Sequence, residues 1–358
     1  MAGAVEHFDG AVGFVDITWE TALSLVGIGF AGGLLSGFLG TGGAFIMTPA
    51  MMSLGIPGIM AVAANVTHKF GKAIVGAKKH SEMGNVDKKL GLVMFFALFA
   101  GVNTAVTLNK KVLLKSGTAG SDLYISLMFI FILSGVSIFM FRDVIRQRNA
   151  RKGIKNAALN AKITEKLGKF SLPPFIHFKV AGVRASLWTV LMVGLATGYL
   201  AGTIGVGGFI GVPAMIYLLG INIRVAAGTE LFLAVFSGLQ GAFLYALNGY
   251  VDLRIPLILY IGSLVGVTLG ALVTRTVKSS QIQMVMISIM AMVVVSRAWT
   301  VPVYLAEMGY LQAGAQYLPA FKTASDIFLF GSGAVGCGMI LWWMFGAVTG
   351  RGRAVTRH

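Results

Sequence analysis

The sequence predicts an all-α integral membrane protein, a polytopic helix bundle of two inverted repeats, each with a short broken helix. Three observations carry this prediction. Of 358 residues, 56% are hydrophobic and 12% charged, with 48 glycines and a mean hydropathy of +0.81. Polar side chains that scarce cannot cover a water-soluble globule of this size. Apolar runs recur from Ile17 to Val348 with one strongly charged interruption. The chain also matches itself at a near-constant offset of 165 residues, and internal repetition of this kind determines the whole architecture.

Apolar length and flanking charge mark candidate spans at 17–39, 43–54, 57–77, 89–108, 122–141, 185–204, 208–219, 224–246, 254–274, 281–298 and 327–348. The pieces at 43–54 and 208–219 are short, and they decide the topology. If both cross, the N-terminus lies outside, twenty-one Lys/Arg collect on the inner side and six on the outer, Arg297 among the six. The positive-inside rule favours that arrangement. It divides the chain into an extracytoplasmic tail (1–16), a first membrane repeat (17–141), a basic cytoplasmic loop (142–184) and a second membrane repeat (185–298). An extracytoplasmic loop (299–326), an additional span (327–348) and a basic cytoplasmic tail (349–358) follow. Residues 1–16 hold Glu6, Asp9 and Asp16 but no Lys or Arg; without the positive region of a cleavable signal peptide, the first span is expected to stay attached.

The net charge of +16 does not point to nucleic acid. Eleven Lys/Arg fall between Arg142 and Arg184 against only Asp143 and Glu165, so the charge is a topology anchor expected to touch anionic lipid headgroups. The single cysteine, Cys337, excludes an internal disulfide and a dithiol centre. No GxSxG, HExxH or Walker pattern is present; Gly331 to Gly336 fits GxGxxG but lies in an apolar run with no preceding strand. The sequence therefore reads as a non-enzyme with no cofactor and no metal.

In the repeat, Gly37, Gly40, Gly42 and Gly43 match Gly202, Gly205, Gly207 and Gly208, and Gly76, Asp87 and Gly101 match Gly241, Asp252 and Gly266. Pro49 and Pro213 correspond with a one-residue slip. Five crossings in the first unit force the second to enter with opposite orientation. Inverted repeats with broken helices are the architecture of many secondary transporters, with substrate at the repeat interface. The glycine clusters 40–43 and 205–208, together with Pro49 and Pro213, mark the expected breaks. Glycine permits tight turns and close backbone approach, and free N–H groups at a new helix start favour an anion. Thr41, Gly42, Gly43, Gly207 and Gly208 are accordingly candidate contacts for a small anionic substrate. Close helix packing by small residues is the alternative explanation of the same glycines.

The motifs GTGGAFIMTPAM (40–51) and GVGGFIGVPAM (205–215), each followed by a small-residue stretch (Ala61 to Asn65, Ala226 to Glu230) and a Gly-x-Val-Asp turn, resemble the TauE/SafE family of sulfite exporter-like permeases. The resemblance covers roughly residues 20 to 300. It implies a carrier in the cytoplasmic membrane for a small sulfur-containing anion such as sulfite, a sulfonate or thiosulfate. The central basic loop, the last span and the GTGGA spelling depart from the usual family pattern.

Charged residues inside the spans complete the candidate site. Asn65, Lys69, Lys72 and Gly76 fall on one face of the third span. A lysine at the bilayer centre costs roughly 2.5–3.5 kcal/mol, so this face should line a cavity or meet a partner; Lys72, nearer the end, also has the option of snorkelling. His68 lies beside the face and is a candidate proton acceptor, with a structural role as the alternative. Glu230, the repeat mate of Asn65, is the one carboxylate well inside an apolar span. It suits proton coupling or an ion pair with Lys69 or Lys72. Ser237 and Gln240, further along the helix, are candidate donors to an oxyanion. Asp87 and Asp252 read as helix caps. An anion channel, or a carrier for a non-sulfur organic anion, is the competing function.

Overall fold

The computed structural model of the chain describes residues 7–8, 11–12, 14–39, 43–150, 172–274, 277, 279–311 and 315–348. It is helical almost throughout, as the hydropathy requires. The helices are α1 (Trp19–Leu39), α2 (Ala44–Ser53), α3 (Gly58–Glu82), α4 (Lys88–Ala150), α5 (Leu187–Ile204), α6 (Gly208–Leu219), α7 (Ile223–Leu247), α8 (Arg254–Thr274), α9 (Ser279–Glu307) and α10 (Leu318–Val348). Two short antiparallel ladders accompany them, β1 (His7–Phe8) with β2 (Ala11–Val12) and β3 (Phe175–Phe178) with β4 (Val183–Ser186). Among the described residues, seven helices are long and apolar enough to cross a membrane, while α2 and α6 are short and apolar. The lysines and His68 keep α3, at 25 residues, out of the seven.

At 1.5 Å per residue, an unbroken α4 of 63 residues would run about 95 Å, three times the hydrocarbon thickness. It is divided at Gly117, whose φ of 67° and ψ of −171° are open to glycine and closed to other residues. The arms 88–116 and 118–150 match the two expected spans 89–108 and 122–141. Asp122, early in the second arm, accepts a hydrogen bond from the Gly58 N–H at the start of α3, 2.7 Å. Asp143, late in that arm, accepts one from the Tyr217 hydroxyl near the end of α6, 3.1 Å.

Glycine decides how the helices pair. A Cβ at Gly29, Gly33 or Gly37 of α1 would collide with the backbone of Leu259, Ser263 or Val267 of α8. Adding 165 to the first set and subtracting it from the second yields a second set of contacts. Gly194, Gly198 and Gly202 of α5 lie against Met94, Leu98 and Val102 of α4 with the same intimacy. In lipid, where apolar burial gives no advantage over tails, such backbone approach is what holds helices together. Each half thus lends its first helix to the other half. The repeat-equivalent helices α3 and α7 meet directly and run antiparallel: Val66 faces Gly241, Phe70 faces Gly238 and Leu231 faces Gly76.

Several expected boundaries move. The stretch 299–326 is mostly helix, since α9 continues to Glu307 and α10 begins at Leu318. The basic loop 142–184 is helical to Ala150 and forms a hairpin from Phe175; its residues 151–171, like the tail 349–358, lie outside the described residues. Arg297, counted with the outer loop charge, is fully buried inside α9. Its Nη2 donates to Ser53, Ser296 and Ser325 at 3.1–3.2 Å, which gives a charge in an apolar helix its polar surroundings.

Candidate functional site

The two short helices begin where the glycine clusters interrupt the chain. Gly205 closes α5 in the left-handed region at φ 79°, and α6 starts three residues later behind Gly207. Gly43 precedes α2 in the corresponding place. Neither α2 nor α6 has a side chain capping its first turn; Ile46 and Ile210 donate back to Gly43 O and Gly207 O, both 3.2 Å, and the N–H groups ahead of them belong to the unpaired set at a helix start. Pro49 and Pro213, expected as the breaks, are the sixth residues of continuous helices α2 and α6. Each removes one donor from within its helix but does not end it; the interruptions are at glycine. Thr41 and Gly42 lie outside the described residues.

Both helix starts open onto one cavity of about 450 Å³, in the usual range for a small-molecule site. Gly43, Gly207 and Gly208 line it, as does the predicted α3 stripe of Asn65, Lys69, Lys72 and Gly76, with His68 beside it and Glu230 opposite. The lining continues to Lys79 and His80, at the end of α3 that bears the lysine-rich turn. Away from that end α2, α3, α4, α5 and α7 are tied together by buried bonds. Asn65 Nδ2 donates to Ala44 O and Thr48 Oγ1, at 3.0 and 2.8 Å, and the Thr48 hydroxyl donates onward to Ile204 O, 3.4 Å. Asn109 donates to Tyr245, whose hydroxyl donates to Gly202 O, both 2.7 Å.

Lys69 Nζ stands 4.0 Å from Glu230 Oε1, an ion pair too long for a hydrogen bond. Among the described residues neither Lys69 Nζ nor Glu230 Oε2 has a hydrogen-bond partner, and both atoms are buried. Bare backbone surrounds them. A Cβ at Gly207 would come within 3.2 Å of Lys69 Nζ, and one at Gly211 would overlap the Glu230 carboxylate. An ammonium, a carboxylate and the starts of two helices thus share one small space. The positive groups have the chemistry to hold an anion, and Glu230 sets a carboxylate beside them.

His68 is engaged with α8. Its Nε2 is 2.7 Å from Ser263 Oγ and its ring packs against Tyr260 at 4.5 Å. Tyr260 in turn donates to His68 O, 2.6 Å, and accepts from the Gly71 N–H, 3.1 Å. Tyr260, Gly211 and Thr48 were invisible as site residues in the sequence, because nothing local separates them from the other apolar and small residues of their helices. Ser237 and Gln240 do not line the cavity. Ser237 is on Glu230's side of α7 but two turns further on, where Gly238 is packed against Phe70. Its hydroxyl donates to Ala234 O, and Gln240 Nε2 donates to Phe99 O, 2.8 Å.

The model of one protein family, described as "Sulfite exporter TauE/SafE", matches residues 25–297. The chain belongs to that family. Curated relatives from Bacillus subtilis (strain 168) are described more broadly, as probable membrane transporters. "Probable membrane transporter protein YunE" is 22% identical over 73% of this chain and 92% of its own length. "Probable membrane transporter protein YdhB" is 24% identical over 68% and 86%, and "Probable membrane transporter protein YjnA" is 22% identical over 75% and 96%. No solved structure matches the chain significantly. The TauE/SafE region takes in both short helices, the cavity and both helix exchanges, and α10 lies beyond it. With the membrane spans, membership makes the chain a multi-pass membrane transporter, and it supports a transporter over an enzyme.

Proposed function

We propose that the chain moves a small sulfur-containing anion, such as sulfite, a sulfonate or thiosulfate, across the cytoplasmic membrane by alternating access coupled to protons. One observation carries the reading: two uncapped helix starts and the buried Lys69 and Glu230 share a cavity whose lining reaches the lysine-rich end of α3. The family description supports the sulfur oxyanion class. The antiparallel meeting of α3 and α7 supports two repeats inverted in the bilayer, the symmetry on which alternating access runs. In this reading the structure is open to the cytoplasm. Gly43, Gly207, Gly208 and Lys69 hold the anion, Lys72 attracts it, Asn65 ties α2 to α3, and Glu230 takes the proton.

The test is a paired measurement on purified protein, with sulfite, thiosulfate, a sulfonate, sulfate and a carboxylate as probes. Wild type should bind one of the sulfur anions saturably and accumulate it in proteoliposomes under a pH gradient. Glu230→Gln, which carries no charge, should still bind and should lose pH-driven accumulation. Accumulation by Glu230→Gln would end the coupling assignment. Binding of the carboxylate alone would end the substrate class, and uptake that does not saturate would point to a channel.

A further inference from the structure

α10 has no counterpart in the first half, yet its seat does. It lies across α1, α2 and α9, with Gly336 on Leu35 and Ile289, Gly333 on Ile46, and Ser325 bonded to Ser296 and Arg297. The repeat turns those positions into Leu200 for Leu35, Tyr124 for Ile289, Phe131 for Ser296 and Ile132 for Arg297, and, with the one-residue slip of the prolines, Ile210 for Ile46. All but Tyr124, which bonds to the lining residue Tyr199, line a second concavity, a groove of about 950 Å³ bounded by the second arm of α4, α5 and α6. One half of the molecule fills this groove with its own last helix, and the other half leaves it open along the membrane.

We propose that the open groove is a binding site for an anionic phospholipid, with acyl chain along Phe131, Gly135 and Phe139 and headgroup beside Arg142. Two observations choose this occupant over a second helix. The polar anchors that hold α10, Ser296 and Arg297, are replaced by Phe131 and Ile132, so the groove offers no hydrogen bond where α10 finds one. Helices in lipid associate through such bonds and through close backbone contact, whereas hydrocarbon needs neither. The tyrosine hydroxyls in the lining are already engaged: Tyr199 with Tyr124 at 2.8 Å and Tyr217 with Asp143 at 3.1 Å. Charge then marks one end. Where Tyr217 meets Asp143 the groove stops beside exposed Arg142, and the sequence continues with Arg146, Arg148, Arg151 and Lys152. Basic residues at the cytoplasmic edge of a helix groove are what an anionic headgroup requires.

The experiment measures lipid retained by purified full-length protein after exchange into nanodiscs and back into detergent, by native mass spectrometry. The probes are a long-chain phosphatidylglycerol and a phosphatidylcholine with the same tails. Wild type should retain phosphatidylglycerol about fivefold better. Arg142→Gln should remove that preference while keeping some of both lipids. A Cβ at Gly135 meets nothing within 4 Å, so Gly135→Leu should fold normally, fill the groove and lose retention of both. Equal retention of the two lipids by wild type, or retention untouched by Gly135→Leu, would overturn the proposal. So would a disulfide between copies formed by Gly135→Cys in a Cys337→Ser background, since a second chain would then occupy the groove.

Discussion

Phe45 and Phe209 are the second residues of α2 and α6, and their rings meet at a centroid distance of 4.8 Å with the planes tilted by 52°. Both side chains are fully buried. The two short helices therefore touch through equivalent residues two positions beyond Gly43 and Gly207, glycines that line the cavity, so any movement of one helix start is felt by the other.

A double-mutant cycle measures that contact. Phe45→Leu and Phe209→Leu should each lower thermal stability in detergent, and the cycle should yield a coupling of about 0.5–1.5 kcal/mol, the range of a tilted aromatic pair. A coupling of zero would show that the helices move independently.

Lys69 offers the cavity an ammonium without a hydrogen-bond partner. Lys69→Gln should leave folded protein in the membrane and weaken anion binding at least about tenfold, the loss expected for a charged hydrogen bond. Unchanged affinity in a titration of the purified variant would assign the lysine to the ion pair alone.

Gly211 supplies the bare backbone against which the Glu230 carboxylate lies. Gly211→Ala should push that carboxylate away from its place beside Lys69 and cut pH-driven accumulation severalfold. Gly27→Ala is the control, because a Cβ there meets nothing within 4 Å. Equal transport by the two variants would remove Glu230's position from the mechanism.

Arg297 joins α9 to Ser53 of α2 and Ser325 of α10 through one nitrogen. Arg297→Met preserves length and loses these bonds, so the protein should unfold with about 1.5–3 kcal/mol less stability. Ser325→Ala, which removes one acceptor, should cost less. Thermal unfolding of both variants in the same detergent ranks them, and the reverse order would separate α10 from the arginine.

Topology is open to chemical labelling. In a Cys337→Ser background, cysteines replacing the exposed Met83 and Leu253 should react from opposite sides of the membrane, Met83→Cys from the cytoplasm. Reaction of both from one side would exclude an inverted arrangement of the repeats.

Most of the helices could be read from the chain alone, because burial in lipid demands long apolar runs and the charge bias between them is a local property. The α3 stripe was equally legible: 3.6-residue periodicity places Asn65, Lys69, Lys72 and Gly76 on one face, and all four line the cavity. The 165-residue repeat was visible too, since it is a comparison of the chain with itself. The exchange of α1 and α5 between the halves was not visible, because it depends on which glycine stripe meets which backbone, and every stripe looks alike in isolation. Ser237 shares Glu230's side of α7 yet misses the cavity, since periodicity fixes direction around a helix and says nothing about where a crossing helix covers it. Arg297 looked like loop charge until α2 and α10 supplied serines from positions 244 and 28 residues away. Local sequence sets which surfaces are apolar, small or charged; only packing in three dimensions decides which of them meet.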